Sequence, residues 1–100
     1  MIKFKDLEFR KTFSGVGATH TFENGITISV QAGSFIYSTP RENLTSSDQF
    51  SSFEVAIADE DGEWLTKDFT DCDDDVLGWQ DRDEINALML LIQNKETNKI

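Results

Sequence analysis

One hundred residues make a single domain with one modest core, and a net charge of −10 excludes the basic groove that direct nucleic-acid binding needs. Only 38% of the residues are hydrophobic, but eight Phe and two Trp concentrate apolar area in few side chains, enough for a packed interior. The lone Cys72 excludes an internal disulfide, and the apolar run 87–92 is far too short to cross a membrane.

The charge is not spread evenly. Residues 54–84 hold thirteen acidic and two basic residues, a local net of −11, while the rest of the chain is close to neutral. Near the start, Lys3, Lys5, Arg10 and Lys11 alternate with Asp6 and Glu8. No apolar run of a signal peptide is present there. These features lead us to expect a protein of the cytoplasm.

In chain order, residues 2–13 read as a first strand of mixed facing, followed by a flexible Ser14-Gly15-Val16-Gly17 turn. Residues 18–31 alternate on both sides of Asn24-Gly25, which predicts a β-hairpin. Its register follows from facing. A two-residue loop would pair Phe22 with Thr27 and mix the faces. A three-residue loop, Glu23-Asn24-Gly25, pairs Phe22 with Ile26, His20 with Ile28 and Ala18 with Val30, with Gly25 in the left-handed bulge position. We expect the second register.

A further strand is expected over 34–38, and residues 39–52 form a long polar connection that is mobile or functional. Residues 53–58 alternate strictly, with Phe53, Val55 and Ile57 on one face. Asp59-Glu60-Asp61-Gly62 is turn chemistry, and 63–69 reads as the returning strand. Asp81 with Glu84 three residues on opens a helix over about 82–94 as a capping box. Ile85, Leu88, Met89 and Ile92 form its core stripe. Leu90 and Leu91 widen that stripe into an edge suited to a partner, including a second copy, and 95–100 is expected to fray. The sum is an α+β domain: an antiparallel sheet of four to five strands with one C-terminal helix packed on a face.

Candidate sites lie mostly in the acidic region. Asp71, Asp73 and Asp75 match loop positions one, three and five of an EF-hand, but Val76 and Arg82 stand where Gly and Glu are required. A specific calcium site is therefore not expected, nor any other metal or cofactor. His20, the sole histidine, has no patterned acid or nucleophile beside it, so no catalytic residue is assigned. Cys72 lies among carboxylates that disfavour its thiolate. Trp64 and Trp79 flank the acidic stretch, and at least one is expected in the core. Trp79, between two acidic runs, also suits an anchor at an interface.

Phe22-x-Asn24-Gly25, Ser29-Val30, Gly33, Glu54-Val55-Ala56-Ile57 and Asp75-Val76-x-Gly78-Trp79, followed by an acid-capped helix, resemble a group of small phage-encoded proteins, mostly without assigned function. The likeness covers about residues 5–93. This chain departs from the group in a longer polar insert between Tyr37 and Phe53 and in a denser Asp run. The resemblance implies no catalytic residues. By analogy of class, small acidic phage proteins are often inhibitors that imitate nucleic acid.

The resulting expectation is a non-enzymatic inhibitor or modulator that binds a basic host protein surface through Asp59, Asp61, Asp71, Asp73, Asp74, Asp75, Asp81 and Asp83, with Trp79 as anchor. The alternatives are a small-ligand module, with a pocket between the 39–52 loop and the hairpin and a homodimer joined through Leu90 and Leu91, and a phage structural protein whose acidity serves solubility.

Overall fold

The computed structural model describes residues 1–71 and 73–95. Five antiparallel strands form the sheet: β1 (Arg10–Lys11), β2 (Gly15–Thr21), β3 (Thr27–Gly33), β4 (Phe53–Ala58) and β5 (Val76–Gln80), with apolar and polar residues alternating strictly along β4. They pair in chain order, β1-β2-β3-β4-β5. A four-residue helix, α1 (Thr66–Phe69), lies between β4 and β5, and α2 (Arg82–Asn94) closes the described fold. This is the expected α+β class.

The hairpin takes the three-residue register. Ala18 pairs with Val30 and His20 with Ile28, and the Phe22 N–H donates to the Ile26 carbonyl at 2.8 Å. Gly25 has φ 86°, the left-handed bulge conformation. Ala18, Phe22, Ile26, Ile28 and Val30 consequently share one buried face with Phe53, Val55 and Ile57. Ile85, Leu88, Met89 and Ile92 of α2 complete that core. The helix begins as expected: the Asp81 carboxylate accepts from the Glu84 N–H at 2.8 Å, and the Glu84 carboxylate accepts from the Asp81 N–H at 3.1 Å.

Three expected strands are corrected. Residues 2–13 form a 3-10 turn (Phe4–Asp6) and only the two-residue β1. The backbone of this arm is satisfied instead by α2: the Ile2 N–H donates to Gln93 and the Phe4 N–H to Asn86, both at 2.8 Å. Residues 34–38 are a turn and bends rather than a strand: the Ile36 N–H donates to the Gly33 carbonyl at 3.3 Å, and the Ser38 hydroxyl accepts from the Gly33 N–H at 3.1 Å. In 63–69 only Trp64 bridges to Ala58 before α1 begins. The returning strand beside β4 is β5, which places Val76-Leu77-Gly78-Trp79 in the sheet.

The polar connection 39–52 is anchored at its far end. Ser46 caps a short 3-10 turn (Ser47–Gln49), Phe50 is fully buried, and Thr39 bridges to Ser52. The Arg82 guanidinium donates to the Phe50 carbonyl at 2.9 Å and to the Ser47 carbonyl at 2.8 Å. The expected fraying of 95–100 falls, beyond Lys95, outside the described residues, as does Cys72.

Candidate protein-binding surface

Strand pairing divides the acidic region between two ends of the sheet. Because β4 and β5 are antiparallel, with Ala56 opposite Val76 and Phe53 opposite Gln80, the turn after β4 and the loop before β5 lie at the same end. Asp59, Asp61, Asp71, Asp73, Asp74 and Asp75 therefore gather there. Asp81 and Asp83 lie at the other end, roughly 20 Å away by strand rise. The single acidic surface expected from sequence is thus one dense pole, 59–75, and a smaller group at the α2 N-terminus.

Residues 59–75 hold nine acidic residues against one basic residue, Lys67, and the Lys95 ammonium reaches the same end, 5.7 Å from the Phe69 ring. The Glu23-Asn24-Gly25 turn is at this end too. Thr21 and Thr27 close the hairpin opposite Ala58, and a Cβ on Gly25 would stand 3.1 Å from the Glu60 carboxyl carbon. The C-terminus of α2 arrives at the same place, where the Asn24 amide donates to the carbonyls of Ile92 (2.8 Å) and Lys95 (3.1 Å). The negative end of the helix dipole thereby adds to the carboxylates.

The carboxylates have different duties. One oxygen of Asp59 accepts from the N–H groups of Asp61 and Glu63, both at 2.9 Å, and so builds the turn. Asp74 accepts from the Asp75 N–H at 2.7 Å. Asp61, Asp71 and Asp73 are exposed. The loop that carries them is held by Thr66, fully buried, whose hydroxyl accepts from the Ile57 N–H at 3.0 Å and donates to the Asp75 carbonyl at 2.6 Å. A Thr66→Val substitution keeps the shape but orphans both groups. It is expected to cost about 2 kcal/mol in urea unfolding. An unchanged midpoint would show that Thr66 does not hold the loop.

Both tryptophans are 55% exposed, which corrects the expected core role. Trp79 occupies the extra position of a bulge in β5 at φ 54°, a conformation that turns its side chain out of the alternation. The Trp79 backbone N–H donates to the Tyr37 carbonyl at 2.9 Å, and the two rings lie 5.1 Å apart. Arg41 stands 5.3 Å from the Tyr37 ring. Trp79 therefore sits with Tyr37 towards the α2 N-terminus, away from the dense pole. At the pole the exposed aromatic side chain is Trp64, bridged to Ala58, while Phe69 is half-buried. Reading 63–69 as a strand hid Trp64, because a strand there would offer it a core position.

No family model, curated protein or solved structure matches this chain. The site must therefore be read from its own chemistry. Among the described residues no group of three His, Cys, Asp or Glu side chains is arranged to hold a metal ion, and no helix is long and apolar enough to cross a membrane.

A cleft of about 620 Å³ is lined by Met1, Ile2, His20, Phe22, Glu23 and Gln93, among others. The His20 ring meets the Phe22 ring edge-on, 4.8 Å between centroids. The 39–52 connection, tied to Arg82 at the opposite end, takes no part in it.

Proposed function

We propose that this chain is a non-enzymatic inhibitor or modulator of the phage-encoded type, acting in the host cytoplasm on a basic, nucleic-acid-binding protein surface. The observation that carries the reading is the meeting of the 59–63 turn and the loop before β5 at one end of the sheet, with an exposed Trp64 bridged to Ala58 at that end. Solubility alone needs no such clustering. Fixed carboxylates at one end create a focused negative potential, and an exposed aromatic residue beside them supplies the apolar anchor that charge lacks. In this reading Trp64 replaces Trp79 as the anchor.

The test is capture of partners from bacterial lysate at low and high salt, with two variants beside the parent chain. Asp61→Lys, Asp71→Lys and Asp73→Lys together leave the turn-building Asp59 intact. This triple variant is expected to weaken the captured complex by about a hundredfold, equivalent to about 3 kcal/mol. Asp83→Lys, at the other end, is expected to change it less than about threefold. Binding should fall steeply with salt. A partner held equally by the parent and the triple variant would refute the acidic-pole reading. Salt-independent binding of a small molecule in the His20 cleft would favour a ligand module instead.

A further inference from the structure

Strand β2 is paired along its full length on one side only. Its pairing with β3 runs from Gly15 to Thr21, whereas β1, on the other side, covers only Val16 and Gly17. In an antiparallel ladder alternate residues turn their N–H and C=O groups to opposite sides. The Phe22 N–H bonds to Ile26 across the hairpin, and the Gly15 carbonyl to Thr12 on the β1 side. Even-numbered residues of β2 therefore bond to β3, and odd-numbered ones face outwards. Thr19 and Thr21 are exposed, and their outward backbone groups meet no partner among the described residues. The edge at β5 is different: there Trp79 forms a bulge and its backbone N–H is taken by the Tyr37 carbonyl, a device that stops an edge from templating another strand. Residues 19–21 carry no bulge, proline or lysine, and two of the three are β-branched.

Open space lies along this edge. The cleft of about 620 Å³ passes His20, Thr21 and Phe22, with Met1 and Ile2 on its far wall. A hollow of about 510 Å³ passes Gly17, Ala18 and Thr19, with Glu8 and Arg10 beside it. The unpaired groups themselves define what fits there: donors and acceptors at the strand repeat are matched by another extended backbone. A second copy of β2 fits poorly. Pairing its Thr21 with Thr19 would set its Glu23 opposite Gly17, whose outward groups already pair with Arg10. Each copy also carries a net charge of −10, which opposes their meeting.

We propose that the β2 edge at Thr19 and Thr21 accepts an extended segment of a partner protein as an added antiparallel strand, collinear with β1. Antiparallel addition lets each threonine exchange both bonds with a single residue of the segment. The residue opposite His20 points to the inner face, into the cleft lined by Met1, Ile2 and Phe22, and is therefore aromatic or another large apolar one. Its two neighbours stand beside Thr19 and Thr21 on the outer face and are β-branched. Glu23 is exposed beside the cleft, so the N-terminal end of the segment is basic. At the other end Glu8 and Arg10 share the hollow and select neither sign. This edge does not use Asp61, Asp71 or Asp73, and the inference stands apart from the acidic-pole reading.

The probe is the peptide acetyl-Lys-Lys-Thr-Phe-Thr-amide, titrated to about 5 mM into the full chain and followed by amide shifts and hydrogen exchange in NMR. The Thr19 and Thr21 amides are expected to exchange at least about tenfold more slowly with peptide than without, while those of Ala18 and His20, already bonded to β3, change little. Methylating the backbone nitrogen of either peptide threonine removes a donor aimed at β2 and should weaken binding at least about tenfold. Methylating that of the phenylalanine, which points away, should change it less than about threefold. Glu23→Lys should weaken binding about fivefold, and a peptide with two glutamates in place of its lysines should recover it. Thr19 and Thr21 amides indifferent to about 5 mM peptide overturn the proposal. So does equal weakening by all three methylations, which shows that no ladder forms. Protection of these amides that grows with protein concentration in the absence of peptide also overturns it, because a second copy then covers the edge.

Discussion

Replacing Arg82 by Met is expected to destabilise the protein by about 3 kcal/mol and to free the end of the 39–52 connection. The guanidinium holds two backbone carbonyls, of Ser47 and Phe50, at 2.8 and 2.9 Å. Its carbon also lies 5.1 Å from the Phe4 ring centroid and 5.2 Å from that of Phe53. A hydrogen bond from a charged donor contributes about 1.5–3 kcal/mol, and each cation–π contact about 0.5–1 kcal/mol. These terms overlap, so the sum is not taken in full. Methionine keeps the apolar stem, which isolates the loss of the planar donor. Lysine keeps the charge but offers a point donor in place of a fork, and should recover less than half of the loss. For a domain of this size the Met variant should melt about 12–24 °C lower. Protease nicking between Arg41 and Gln49 should appear well below the melting transition. A Met variant within about 0.5 kcal/mol of the parent would show that packing of Phe50, not Arg82, fixes this segment.

That role was hidden in the sequence, where Arg82 stood out only as the wrong residue at the last ligand position of a failed calcium loop. One local signal did exist. A cation at the first position of a helix opposes the dipole, so Arg82 needed a reason to be there, and the reason is a contact with residues 32 and 35 positions earlier. The hairpin was legible because parity decides facing. With Asn24-Gly25 fixing the turn, only one register buried Phe22, Ile26, Ile28 and Val30 together. Helix α2 was legible because its 3.6-residue period and its cap agree. The arm 1–9 was not, because its apolar residues follow neither period. They are placed by Gln93 and Asn86, which no local pattern can reveal.

Strand β5 was missed for a different reason. Gly78 and the bulged Trp79 break the alternation, and the acidic residues before it drew attention to charge instead of fold. The site suffered from the same cause. The acidic composition was plain, but whether 59–63 and 71–75 meet depends on which segment pairs with β4. Once β5 takes that place, Asp81 and Asp83 are carried to the opposite end. The missing information was strand pairing, not side-chain chemistry.

The largest effects of any single methyl group are expected at Gly15 and Gly33, which pair directly across β2 and β3. A Cβ on Gly15 would lie 2.0 Å from the Ala32 carbonyl oxygen, and one on Gly33 would lie 2.3 Å from the Ser14 carbonyl oxygen. Both obstacles are backbone. Neither can move without opening the ladder that positions the hairpin, so Gly15→Ala and Gly33→Ala should each cost about 3 kcal/mol or more. Two other glycines separate crowding from conformation. At Gly17 the nearest atoms are side-chain carbons, Thr12 Cγ2 at 3.1 Å and Gln31 Cγ at 3.3 Å, which can shift, so Gly17→Ala should cost less than about 1 kcal/mol. At Gly62 nothing lies within 4 Å, but φ is +83°, and alanine there should cost about 1–2 kcal/mol through backbone strain alone. Urea unfolding of the four variants should therefore rank Gly15 and Gly33 worst, Gly62 next and Gly17 mildest. If Gly17→Ala proved as damaging as Gly15→Ala, entropy and strand propensity would govern these positions, and the close approach of β2 to β3 would not be what requires glycine there.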